Sequence, residues 1–364
     1  MKRTTLLLSA LAIVGSACMN PTSDAGEGSR AVAVDASVTT RTISVISRNL
    51  YVGADVDRVI GALATPDPTD DLPALLGAIA VVQATDFPAR ARALAREIER
   101  QRPHVVGLQE VSRLDIDLTP LGIPAPVIHQ DFLATLLQAL ADRGLDYRVA
   151  ATVQNTTAAP LPGVSLVDFD ALLYDARRAD LGPVLAARQF QQNIGTVAPG
   201  VTILRGYVAA EFRVNGRRYT VLNTHLESGT APGLGLLRAA QATELAAVLG
   251  TLSPAILLGD FNDYPGSLMH QVLSGAGFTD LWAALYPGRS GFTCCHAEDL
   301  SNPEAAFDQR IDYVWTRGIG RPSGEVVGRI GLLGARAAEK FPGPLHPLWP
   351  SDHAGLAAVV GTSE

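Results

Sequence analysis

Cysteine is scarce in this sequence: Cys18, Cys294 and Cys295 are the only three among 364 residues. Cys294 and Cys295 are neighbours, and a Cys-Cys-His run at 294–296 has the wrong spacing for a typical zinc site. Across a trans peptide their Cα atoms stand about 3.8 Å apart, shorter than an ordinary disulfide span. The pair reads as structural, either free or joined in a strained vicinal disulfide. Basic side chains are also short, 29 against 36 acidic ones. Removing Lys2 and Arg3 with a leader leaves 27, a formal charge of −9. Such a chain has no general attraction to a polyphosphate backbone. That counts against a non-specific nucleic-acid binder and leaves a local basic cleft open. Long apolar runs are missing too, since Leu6–Val14 is too short to cross a bilayer as a helix.

What is present begins with a leader. Lys2 and Arg3 precede that apolar run, and Gly15, Ser16 and Ala17 lead into Cys18. This is the layout of a signal peptide, and its end resembles a bacterial lipobox with Cys18 as the lipidated residue. Cleavage after Ala17 without lipidation is the plainer alternative. Either route takes the protein out of the cytosol, as a membrane-anchored lipoprotein or as a periplasmic or secreted one. Residues 19–40 are small and polar, a flexible tether. No repeat or linker interrupts residues 41–362, which read as one domain, expected to be a monomer. With 47% hydrophobic and 18% charged residues, a sizeable core is available.

Within that domain, Thr42–Ser47 is rich in β-branched residues and predicts a strand. Phe87–Gln101 has apolar residues at helical spacing, is ended by Pro103, and is followed by strand His104–Leu108. Asp131–Arg143 predicts a helix stopped by Gly144. Leu204–Val214 and Arg217–Leu226 flank Asn215-Gly216 as a hairpin. A helix over Leu236–Leu249 and strands over Ala255–Leu258, Arg310–Thr316 and Ala354–Val360 complete the reading. Hairpins mixed with strand–helix–strand units predict two packed sheets with helices outside. The Pro-, Ala- and Asp-rich stretch Tyr51–Phe87 predicts a long substrate-selecting loop.

Several of these strands end in polar residues that a β-pattern does not require. Asn49 follows the first, Gln109 and Glu110 the second, and Asn223 and His225 close the hairpin. Asp260 and Asn262 follow AILLG, Asp312 sits in RIDYVW, and Ser351-Asp352-His353 precedes the last strand. Any one of these can be a turn former or cap. Six such clusters of Asp, Asn, Glu and His together point to a site.

The ordered set resembles the endonuclease/exonuclease/phosphatase family over residues 42–361. That resemblance implies an α/β (α+β) fold, a four-layered sandwich of the deoxyribonuclease I-like kind with two packed mixed sheets, helices outside and the site at one end. It implies a metal-dependent phosphoesterase using Mg²⁺, with Mn²⁺ a possible substitute. A hard cation neutralises the charge spread over a phosphoryl group in transfer. Asn49, Glu110 and Asp312 are the implied metal ligands. His353 would act as base or proton donor, oriented by Asp352 or Asp312, and His225 would bind phosphate or assist the leaving group. Asp260 would orient the attacking water and Asn262 would donate to the developing oxygens. Asp170, which opens DALLY, lies where the family often carries a strand facing the site. The remaining histidines, 104, 129, 270, 296 and 346, match no motif position and read as structural or surface residues.

The expected activity is therefore extracytoplasmic hydrolysis of a phosphate ester. A phospholipid head group or a small phosphoester is favoured by the acidic balance and the lack of basic, aromatic-interleaved loops. A secreted nuclease of the same family is the alternative, and a non-catalytic binding lipoprotein a more distant one. The membrane is expected as a partner only through Cys18.

Overall fold

The computed structural model describes residues 41–67, 69–320 and 327–362. The leader, the tether and Cys18 lie outside the described residues.

Period-two alternation sorts the apolar side chains into layers. In strand Arg41–Asn49, Ile43 and Val45 face one core while Ile46 faces another. In strand Val105–Gln109, Val105 joins the first of these cores, and Val106 and Leu108 join the second. In strand Ala255–Asp260 of the other sheet, Ile256 and Leu258 face inward while Ala255 and Leu257 face outward. The inward sets of both sheets, with Leu172, Val208, Val221 and Val314, form the middle of a sandwich. Helices Phe87–Gln101 and Phe132–Ala141 cover one outer face through Leu94, Ile98, Phe132 and Leu136. Helices Leu234–Leu249 and Leu268–Gly275 cover the other through Leu245, Met269 and Leu273. Each such fully buried side chain contributes about 1.5–3 kcal/mol of transfer free energy. The result is the expected four-layered arrangement.

The ten-stranded sheet is built around the parallel pair Arg41–Asn49 and Val105–Gln109. Antiparallel neighbours Gly355–Thr362 and Val164–Asp175 flank it. The six-stranded sheet repeats this plan. Its parallel pair is Arg217–His225 and Ala255–Asp260, flanked by Gly206–Val214 and Asp312–Arg317. Asn49, Gln109, His225 and Asp260 are therefore all C-terminal residues of central parallel strands. Asn215 and Gly216 both take positive φ, 50° and 79°, which the tight hairpin turn demands.

Two expectations change. Residues 51–87 are not a loop: they carry helices Val56–Leu63 and Asp71–Thr85. Asp55 caps the first by accepting from the Asp57 and Arg58 amides, and the second buries Leu75, Ile79 and Val82 at helical spacing. The helix expected from Asp131 begins at Phe132, because the Asp131 carboxylate accepts the Ala134 amide as its cap. Cys294 and Cys295 are bonded to each other.

Candidate active site

Strand register lines up the six-stranded sheet's polar ends: His225 pairs with Asp260, and Asp260 with Asp312. Neighbours across a sheet point to the same face, so three sequence-distant residues form one row. Asp260 is its hub. Its Oδ2 accepts from Asn49 Nδ2 at 3.2 Å and lies 3.7 Å from His225 Nε2 and 3.8 Å from His353 Nε2. Its Oδ1 accepts from the Asn262 amide at 2.9 Å. Asn49 also donates to Glu110 Oε1 at 2.9 Å, while the Val52 amide donates to Glu110 Oε2 at 2.9 Å.

Backbone conformation helps to aim these groups. Tyr51, Glu110 and Asn262 hold φ of 62°, 53° and 50°, a region that non-glycine residues adopt at a cost and that gathers at functional sites. The carboxamide of Asn223 has a different task. It crosses between the sheets to donate to the Leu108 and Ala171 carbonyls at 2.8 and 3.2 Å. Gly107 leaves room for it, since a Cβ there would fall 2.5 Å from Asn223 Oδ1.

Asp312 rather than Asp352 orients His353: Asp312 Oδ2 lies 2.9 Å from Nδ1, and Asp352 Oδ1 lies 4.0 Å from Nε2. Asp312 thus stands behind the ring, its Oδ1 buried without a hydrogen-bond partner. Burial alone would lower the His353 pKa, but Asp312, Asp352 and Asp260 outweigh it and hold the imidazolium. His225 goes the other way, kept neutral by burial and by the Arg205 and His353 charges. Burial and Asp312 push Asp260 up to about 7. Burial and the neighbouring Asp352 raise Glu110. Asn262 Nδ2 lies 2.9 Å from His225 Nε2 and 3.1 Å from the Leu226 carbonyl, so its amide also positions that histidine.

Sequence reasoning missed the buried arginines. Arg48 donates to both Glu97 oxygens at 3.2 and 3.3 Å and to the His353 carbonyl. Arg90 donates to the Leu50, Tyr51 and Pro350 carbonyls. Both fasten the strand ends that carry site residues. Arg205 reaches His225 Nδ1 at 3.1 Å. Asp168 joins Asp170 in the interior, and this signal was available: acids at alternating positions of an otherwise apolar strand. Of the five motif-free histidines, His104 and His296 are buried and His129 is exposed. His270 lies 3.3 Å from Asp280, and His346 is half-buried.

The sequence model of the Endonuclease/Exonuclease/phosphatase family matches residues 82–353. The chain belongs to that family. Asn49 lies ahead of the matched stretch and enters the site through strand pairing. Members of the family are metal-dependent phosphoesterases and nucleases, and this chain has the fold of a hydrolase acting on phosphate esters. An endonuclease/exonuclease/phosphatase family protein from Bacteroides thetaiotaomicron is similar in fold, at TM-score 0.55 and 16% identity, covering 89% of this chain and 99% of that one. The Beutenbergia cavernae family member gives 0.52 and 22%, covering 88% and 72%. The human Nocturnin catalytic domain with bound sulfate gives 0.51 and 17%, covering 88% and 94%. A glutamyl-tRNA reductase from Frankia casuarinae is 32% identical over 154 residues, 38% of this chain and 32% of that protein. The chain spans about a third of that relative's length, too little to carry its activity over.

The residues fit a hard divalent cation. The donors are oxygens, Asp312 Oδ1 is buried and unpartnered, and burial together with neighbouring carboxylates raises Glu110, Asp260 and Asp352, a cost that a cation relieves.

Proposed function

We propose that the chain is an extracytoplasmic, Mg²⁺-dependent hydrolase cleaving the phosphate ester of a phospholipid head group or of a small phosphoester. One observation carries the chemistry: Asp260 Oδ2 lies within 3.8 Å of two histidines held in opposite charge states. Paired groups driven apart in pKa are the mark of divided acid and base work. His353 carries the proton and donates it to the ester oxygen on phosphorus that departs as the alcohol. Asp260, near neutrality, orients the attacking water and takes its proton. His225, uncharged and fixed by Asn262, contacts the ester beside the leaving group.

Mg²⁺ held by Glu110, Asn49 and the neighbouring carboxylates would neutralise charge on the phosphoryl oxygens. Location rests on the leader ending in Cys18, and the substrate class on the −9 balance. Burial raises Asp57, in the first turn of helix Val56–Leu63, and the Arg205 charge opposes it; with Arg205 also against His225, that helix is the reading's selector of substrates. A nuclease is the second reading, favoured by Tyr264, 66% exposed two residues from Asn262, where a base can stack.

A screen of phosphatidylinositol phosphates, sphingomyelin, p-nitrophenyl phosphates, DNA and RNA with Mg²⁺ tests the assignment. Turnover confined to DNA or RNA would overturn the substrate class. Absence of labelled palmitate on the protein from a bacterial host, with Cys18→Ala as control, would overturn the lipid anchor.

A further inference from the structure

Beside the site lies a second acidic group that the proposed mechanism leaves unused. Strand Val164–Asp175 points Asp168 and Asp170 inward, 4% and 0% exposed. Asp168 Oδ1 accepts from the Ser112 hydroxyl at 3.0 Å, but its Oδ2 and both oxygens of Asp170 are buried without a partner. Strand Tyr147–Ala158 pairs with this strand and shifts register between Gln154 and Thr157. The irregularity holds Asn155, fully buried, beside both carboxylates. Bulges of this kind re-aim side chains next to active sites. The Asn155 amide is near enough to favour the charged form of both carboxyls, but neither of its polar atoms meets a partner in good hydrogen-bond geometry. A carboxylate pair and an amide with unfilled valences in one interior spot are costly unless a ligand completes them.

The nearest fixed cation does not complete them. Arg205 directs its guanidinium to Glu227 at 3.5 Å, Ser228 at 3.1 Å and His225 Nδ1 at 3.1 Å. Arg205 and Glu227 balance each other, and Asp168 and Asp170 remain in surplus. One oxygen from each and a nitrogen of His225 lie within 4.8 Å of one another. Ligands on opposite sides of a small divalent ion stand about 4.2 Å apart, so slight side-chain movement closes the set. Two carboxylates, an amide oxygen and an imidazole suit a first-row ion such as Mn²⁺ better than Mg²⁺, which avoids nitrogen.

We propose that Asp168, Asp170, Asn155 and His225 form a second divalent-cation site, distinct from the one at Asn49 and Glu110. His225 links the two: one face meets Asp260, and the other trades Arg205 for the ion. The inference rests on the donor geometry and is independent of which ester is cleaved.

The test uses the full-length protein and Mn²⁺ alone, with binding followed by loss of the free-ion EPR signal. Wild type should bind two ions, close enough to show dipolar coupling. Asp170→Asn and Asp168→Asn should each bind one, with affinity for the lost ion reduced at least about tenfold. Glu110→Gln should lose the other ion and keep this one. Because asparagine replaces one of two crowded buried carboxyls at nearly constant shape, the metal-free variants should melt no lower than wild type. One uncoupled ion in wild type, or two ions retained in both Asn variants, overturns the second site. A wild-type chain binding none would instead bring down the metal-dependent reading as a whole. Should neither Asn variant fold, stoichiometry and coupling in wild type decide the matter.

Discussion

His353 Nδ1 and Asp312 Oδ2 stand 2.9 Å apart, both buried, with no other carboxylate as near to that nitrogen among the described residues. The contact fixes which ring nitrogen faces the cleft and keeps the imidazolium charged. Asp312→Asn should lower kcat by about 10²–10⁴-fold with the circular dichroism unchanged. It should also move the alkaline limb of the pH–rate profile to lower pH, because His353 then loses its proton earlier. A variant with wild-type kcat and an unmoved alkaline limb would deny His353 its place as proton donor.

Metal removal should abolish turnover. EDTA-treated protein should be inactive and recover with Mg²⁺ or Mn²⁺, and Glu110→Gln should need more metal for half-maximal activity, having lost a charged ligand. Undiminished hydrolysis in chelated buffer contradicts this.

Packing between the sheets makes a separate prediction. Gly107→Ala drives a methyl group into the Asn223 carboxamide and should cost about 1–3 kcal/mol in urea unfolding. In an Asn223→Ala background the same change should cost clearly less, since the obstructing atoms are gone. Equal costs in the two backgrounds would show that the two residues do not compete for space.

Acid should destabilise the protein through two histidines outside the chemistry. His104 Nδ1 accepts from the Ser44 amide at 3.0 Å. His296 donates to the Gly334 carbonyl at 2.9 Å and lies 3.0 Å from Asn302 Nδ2. Burial holds both down to about 4, from 6.5. Their unfolded forms take up protons first, so stability is complete above pH 6.5 and drains away as pH falls toward 4. About 2 kcal/mol for each is expected after allowing for partial solvent contact. Urea midpoints at pH 7 and pH 4.5 measure this, and His296→Asn should reduce the difference.

Much of this was readable in order along the chain, for a physical reason. The ends of central parallel strands are where apolar alternation must stop, so Asn49, Glu110, His225 and Asp260 stood out against it, and Asp312 did so at the start of the antiparallel strand beside them. Helix Phe87–Gln101 matched to the residue because Pro103 and a steady apolar spacing bounded it. Helices Val56–Leu63 and Asp71–Thr85 were hidden by the surrounding Pro and Asp, although Asp55 is an ordinary cap. Arg48, in a strand, and Arg90, in a helix, gave no signal because arginine there normally snorkels to water, and Arg205 sits in a short connection between strands. Only the folded arrangement shows Arg48 and Arg90 buried against carbonyls and Arg205 against the side chains of Glu227, Ser228 and His225. Asp168 was legible beside Asp170 as a second acid on an apolar strand, whereas Asn155 comes to them only through strand pairing.

The segment that leads into the helices before Phe87 meets Glu298, a residue distant in sequence. The Tyr51 hydroxyl donates to the Glu298 carbonyl at 2.8 Å, and the Asp55 amide donates to the Glu298 side chain at 3.3 Å. On the proposed reading, recognition would fall to these helices and cleavage to the strand ends, with the Val52 amide on Glu110 joining the two. A lineage can exchange the two helices for others of different length and polarity while the row at the strand ends stays untouched.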